Sequence, residues 1–129
     1  EHYSFWRNSE LNKEIKAVTV VLESFNGLMK TERIIHPGLR DQLHYTIEAL
    51  LMPLSVEEKE AGLVSNIEEG VSLIGATVSD KIAFVTLSSE FLSSADISQA
   101  ADEINKTLAI NLGTEGLVII VDDNVLTRK

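Results

Sequence analysis

The chain has 129 residues, of which 11 are Lys or Arg and 20 are Asp or Glu, and it has no cysteine. This length suits one domain with its own core. The net charge of −9 argues against binding to nucleic acid or to an anionic membrane surface, because both need clustered basic side chains. Without cysteine there can be no disulfide, no thiolate catalysis and no cysteine-ligated zinc or iron–sulfur site.

The first segment, residues 1–15, has no strand or helix period and is predicted to be a tether or a frayed end. It contains Tyr3, Phe5 and Trp6, aromatic residues of the kind found at membrane interfaces. Because the sequence starts at Glu1, we expect an export signal or a membrane anchor upstream of it. Residues 16–129 are predicted to form a single domain.

The domain is predicted to open with a β-hairpin and a helix. Lys16–Ser24 and residues 28–35 are the two strands, joined by a turn with an Asn-Gly signal at Asn26 and Gly27. After Pro37 and Gly38, apolar residues recur at the spacing of one helix face, and Pro53 ends that helix. That apolar stripe consists of Leu39, Leu43, Ile47, Leu50, Leu51 and Leu54.

A polar connection follows over residues 55–70, and its Leu63, Val64 and Ile67 are expected to contact the core. Residues 73–78 and Ile82–Leu87 form a second hairpin. The second of these strands is apolar on both faces, which indicates a central position.

Asp96 followed by Gln99 indicates a helix start, and the helix is predicted to end between Asn111 and Gly113. The unbroken apolar run at residues 117–121 is another central strand. The order ββαββαβ predicts an α+β fold, a two-layer sandwich in which two helices pack on a mixed sheet.

Several groups of polar residues are candidate sites. Asp41, His44 and Glu48 share a helix face and could bind a metal, but a hydrated helix surface explains them better. Calcium binding by Asp122, Asp123 and Asn124 is a further hypothesis, weaker than a hydrated loop. The acidic groups at Glu57, Glu58, Glu60, Glu68 and Glu69 would catalyse hydrolysis only as a pair facing a cleft.

No nucleophile or phosphate-binding motif emerges from the sequence. Ser88 and Ser89 follow a strand without a G-x-S-x-G motif, and are expected to cap a turn near Glu90. The seven glycines form no phosphate-binding pattern. The sequence therefore predicts no catalytic residue, no cofactor and no metal, and it leaves any binding residues undetermined.

A recognisable pattern lies in residues 62–91 together with a helix end that precedes them. It combines Glu48-Ala49-Leu50-Leu51 at a helix end, the loop Ser65-Asn66-Ile67-Glu68-Glu69-Gly70, and Thr86-Leu87-Ser88-Ser89-Glu90-Phe91 after a hairpin. The ordered set resembles the signature of the GerMN domain, and the likeness extends over nearly everything after residue 15. Thr86 stands where that family usually has Asp, and Glu68 or Glu69 where it commonly has Pro.

The resemblance implies a function as well as a fold. GerMN domains are similar to the ring-building modules of secretion-type assemblies and occur in exported, often membrane-anchored, envelope proteins. By this resemblance the chain is a non-enzymatic, extracytoplasmic interaction or assembly module. Its expected partners are envelope proteins or a second copy of itself, with no nucleic acid and with membrane contact only through a tether. The alternative is an envelope module that binds cell-wall glycan or a small molecule, which would need a concave site with aromatic platforms.

Overall fold

The computed structural model describes residues 15–25 and 27–129. The predicted tether, with its three aromatic residues, and Asn26 of the predicted turn lie outside the described residues, apart from Ile15. The strands are β1 (Lys16–Ser24), β2 (Gly27–Ile35), β3 (Leu73–Ser79), β4 (Ile82–Leu87), β5 (Gly116–Val121) and β6 (Asn124–Arg128). The helices are α1 (Gln42–Leu51), the short α2 (Val56–Glu60), a 3-10 helix (Ser89–Ser93) and α3 (Ile97–Leu112).

The strands form two sheets, where the sequence predicted one. β1 and β2 make a two-stranded antiparallel hairpin, and the other four strands make a sheet in the order β3-β4-β5-β6. The larger sheet is mixed as predicted, because β4 and β5 run parallel while its two outer pairs are antiparallel. The two longest helices, α1 and α3, contact each other and both sheets. The α+β class and the predicted order of elements are confirmed, with β6 added at the end.

The core is formed where both sheets meet the helix pair. β4 and β5 occupy the central positions predicted for them, and their inward residues are fully buried. The largest side chains that are almost completely buried come from every layer of the domain. They include Leu22, Ile47, Leu50, Leu87, Phe91, Ile104, Leu108, Leu117 and Ile119.

The helix boundaries follow from capping. α1 starts later than predicted because the Asp41 side chain accepts a hydrogen bond from the His44 amide, so Leu39 lies before the helix and is fully exposed. α3 begins at the predicted signal, where Asp96 accepts from the Gln99 amide. It ends at Gly113, which adopts a φ of 74° without strain because glycine has no Cβ atom.

Two expectations for the connecting segments were wrong. The polar connection contains α2, which starts at a capping box formed by Ser55 and Glu58. Val64 is exposed instead of buried, and its backbone bridges to Glu23 of β1, whereas Leu63 and Ile67 are buried as expected.

Candidate functional site

An apolar groove lies between the hairpin and α3, and we call it the β2–α3 groove. Its volume is about 220 Å³. Two lysines, one from each wall, line it together with apolar side chains, most of which remain exposed. The lining consists of Val21, Leu28, Met29, Lys30, Lys106, Ala109 and Ile110. Leu28 is 37% exposed, Met29 47% and Ile110 44%, so the groove presents hydrophobic surface to solvent.

The helix wall of the groove is held in place by hydrogen bonds to the edge of β1 that faces away from β2. The Val21 amide donates to Oγ1 of Thr107 at 3.0 Å, and Nδ2 of Asn111 donates to the carbonyl of Thr19 at 2.7 Å. Further along, Glu23 and Val64 exchange two backbone hydrogen bonds. α3 and the Val64 bridge therefore cover the edge of β1 against unwanted pairing.

The outer edge of β2 is open by contrast. The backbone N–H and C=O groups of Val21 point away from β2. In an antiparallel pair, the β2 residue opposite such a residue also directs its N–H and C=O groups away from β1. The register places Val21 opposite Lys30, so the outward-pointing residues of β2 are those in phase with Lys30. These are Leu28, Lys30, Glu32 and Ile34. Among the described residues no strand pairs with this edge.

A buried ion pair fixes the inner face of β2. The Arg33 guanidinium makes two 3.1 Å contacts with the Glu58 carboxylate, and its Nη1 lies 2.8 Å from the carbonyls of Ala49 and Met52. It thereby binds α2 and caps the carbonyl end of α1. Burial by itself would raise the pKa of Glu58, but hydrogen bonds from Arg33 and from the Ser55 amide outweigh it and hold the pKa below its usual value.

A second buried polar network joins α3, β1 and the Asn66 loop. Glu103 is 0% exposed, and its Oε2 accepts from Nδ2 of Asn66 at 2.8 Å. The same amide donates to Glu23 at 2.8 Å, and Gln99 donates to that carboxylate at 3.2 Å. Burial raises the pKa of Glu103 to about 7, opposed by the hydrogen bonds from Asn66 and assisted by the charge of Glu23. The network attaches a loop of the sequence signature to α3 and β1.

The polar groups considered as sites do not converge. Asp41 caps α1, and its carboxylate lies 2.6 Å from Nδ1 of His44. The hydrogen bond that the His44 backbone amide donates to this carboxylate lowers the pKa of Asp41. Glu48 pairs instead with Arg40. Within residues 15–25 and 27–129, no group of three or more His, Asp or Glu residues is placed to hold a metal ion. Ser88 precedes the 3-10 helix, and its hydroxyl accepts from the Ser72 amide.

The proposed calcium loop is instead a tight turn. Asp122 and Asp123 have φ values of 52° and 64°, so they form the two-residue connection between β5 and β6. Nδ2 of Asn124 donates to the Asp122 carbonyl at 2.9 Å. Asn124 thus uses its side chain to close the turn.

Comparisons with known proteins identify the fold. No protein-family model matches the sequence, and a search of curated proteins finds no match either. Among solved structures, the first GerMN domain of the sporulation protein GerM from Bacillus subtilis is 14% identical, with a TM-score of 0.61 and 86% of each chain covered.

Two further structures agree with this result. The tandem GerMN domains of the same protein give 12% identity and a TM-score of 0.66 over 88% of this chain and 41% of theirs. A "putative lipoprotein" from Clostridium perfringens gives 17% identity and a TM-score of 0.51, covering 86% of this chain and 76% of its own. The chain therefore has a GerMN-like fold, as its signature predicted.

Proposed function

We propose that this domain is a non-enzymatic interaction or assembly module of the bacterial cell envelope. The observation that carries the proposal is the β2–α3 groove, an apolar concavity on the hairpin, whose β2 edge pairs with no other strand of the described residues. Exposed apolar concavities and open strand edges are typical of surfaces that bind other proteins. Partners on this view are envelope proteins or a second copy of the chain.

The structural neighbours support the envelope location. One neighbour is a sporulation protein and another is described as a lipoprotein, which favours an extracytoplasmic, membrane-anchored setting for this domain as well. In the described part of the chain, no helix has the length and apolar character needed to cross a membrane.

The lining of the groove favours a protein partner over a glycan. None of its seven lining residues is aromatic, whereas sugar rings are usually bound against aromatic faces. Phe91 is buried in the core, and Phe25 is fully exposed at the hairpin turn. The alternative role as a glycan-binding module therefore lacks its expected platform in this groove.

The proposal is tested by placing a charge in the groove. Ile110→Glu introduces a carboxylate among apolar side chains and is expected to reduce capture of partners from envelope extracts. Leu92→Glu is the matched control, because Leu92 is exposed to a similar extent, 46%, but lies on the 3-10 helix. The proposal fails if the unmodified domain is monomeric and captures nothing that Ile110→Glu does not also capture.

A further inference from the structure

The open edge of β2 has a pattern that is complementary to itself. Its outward residues read apolar, basic, acidic, apolar: Leu28, Lys30, Glu32 and Ile34. If a second β2 runs antiparallel with the two Thr31 residues opposite each other, Lys30 faces Glu32 of the other copy. In the same register Leu28 faces Ile34. Each opposed pair is then either of opposite charge or apolar, which are the favourable cross-strand combinations.

The backbone is in phase with this register. The residues that carry outward N–H and C=O groups are the ones that this register places opposite each other. Residues in such pairs exchange two hydrogen bonds each, while Thr31 at the centre points its groups toward β1. A shift by one residue would oppose outward groups to inward ones, so the register is set by both the backbone and the side chains.

The charge of the hairpin also suits contact between two copies. The chain carries a net charge of −9, so two copies repel each other over most of their surface. Lys16–Ile35 contains three basic residues and two acidic ones, Glu23 and Glu32. A contact through β2 therefore brings together a segment without the excess of acidic residues that the chain has as a whole.

We propose that a second copy of this chain pairs with β2, antiparallel and about a two-fold axis at Thr31, so that two hairpins form one four-stranded sheet. The proposal rests on the proposed interaction role and names one partner and one register for it. The interface is isologous, because the same edge is used by both copies and the contact closes as a dimer.

Charge reversal tests the register. Lys30→Glu opposes two pairs of acidic residues across the axis, and Glu32→Lys opposes two pairs of basic residues. Each variant is expected to raise the dimer dissociation constant about tenfold or more, measured by sedimentation equilibrium from micromolar to millimolar concentration. An equimolar mixture of the two variants restores opposite charges in every pair and is expected to form the heterodimer. Lys59→Glu, the same change on the exposed face of α2, is the matched control.

The outcomes separate this inference from the proposed function. If the domain self-associates but neither variant weakens it, or if the mixture does not recover, pairing through β2 is wrong and the interaction role stands. If the unmodified domain is monomeric at millimolar concentration, the dimer is wrong. Capture from envelope extracts that depends on Ile110 would then still support the broader role. If the domain neither forms a dimer nor captures an envelope protein in an Ile110-dependent way, both proposals are wrong.

Discussion

The buried carboxylate of Glu103 makes the stability of the domain depend on pH in a defined direction. Its pKa is raised from 4.5 to about 7 in the folded chain, chiefly by burial. The unfolded chain ionises this group near pH 4.5, while the folded chain keeps the proton until about pH 7. Folding therefore takes up a proton in this range, and stability is lost as pH rises through it.

The size of the effect follows from the two pKa values. Each pH unit between them corresponds to about 1.4 kcal/mol, so the contribution lost between pH 4.5 and about pH 7 is about 3 kcal/mol. Glu23 and Arg33 are the charged groups whose fields act on Glu103, with opposite signs. Since neither is altered in the variant below, their own contributions cancel to first order when variant and parent are compared.

The measurement compares the parent chain with Glu103→Gln by urea unfolding from about pH 4 to about pH 9. Gln is uncharged at every pH and retains an oxygen that can accept from Asn66. The free energy of unfolding of the parent, relative to the variant, is expected to fall by about 3 kcal/mol as pH rises. Glu60→Gln, the same substitution on the exposed side of α2, is the matched control. A pH-independent difference for Glu103→Gln would refute the reasoning.

Three other changes test the packing. Arg33→Met leaves the buried Glu58 charge unpaired and should lower the free energy of unfolding by about 3–5 kcal/mol in urea melts, whereas Arg40→Met on the surface should cost less than about 1 kcal/mol. Asp123→Gly should raise the melting temperature slightly, because Asp123 has a φ of 64°, which glycine adopts without strain; no increase would argue against the turn geometry. Phe91→Ala empties a fully buried site and should cost about 3–5 kcal/mol, and a smaller loss would mean that the core collapses around it.

The elements that the sequence predicted well are those with strong periodic or capping signals. β4 and β5 are nearly continuous apolar runs, and the start of α3 is marked by Asp96. β6 was missed because Asn124–Arg128 is short and carries only two large apolar residues. The turn between β5 and β6 was also hard to recognise, since the adjacent Asp122 and Asp123 resemble a cation-binding loop as much as a tight turn.

The buried polar groups could not be predicted because their partners are distant in the chain. Arg33 and Glu58 are 25 residues apart, and Glu103 and Asn66 are 37 apart. Read singly, Arg33 looks like an exposed residue of an alternating strand. One local signal was available, the Ser55–Glu58 spacing of a capping box, and it would have placed α2 and a constrained Glu58.

The GerMN signature and the candidate interface lie on different parts of the domain, and this separation decides where function can be tested. Leu50, Leu87 and Phe91 of the signature are buried, so substitutions there change stability and report little on partners. Low identity with a retained fold is the result expected when buried residues specify the fold and the surface is free to vary. Lys30 and Glu32 lie on an exposed edge, where a charge change is expected to alter the proposed association while the core stays intact. A substitution at either residue that abolishes pairing without shifting the melting temperature therefore reports on the partner surface alone.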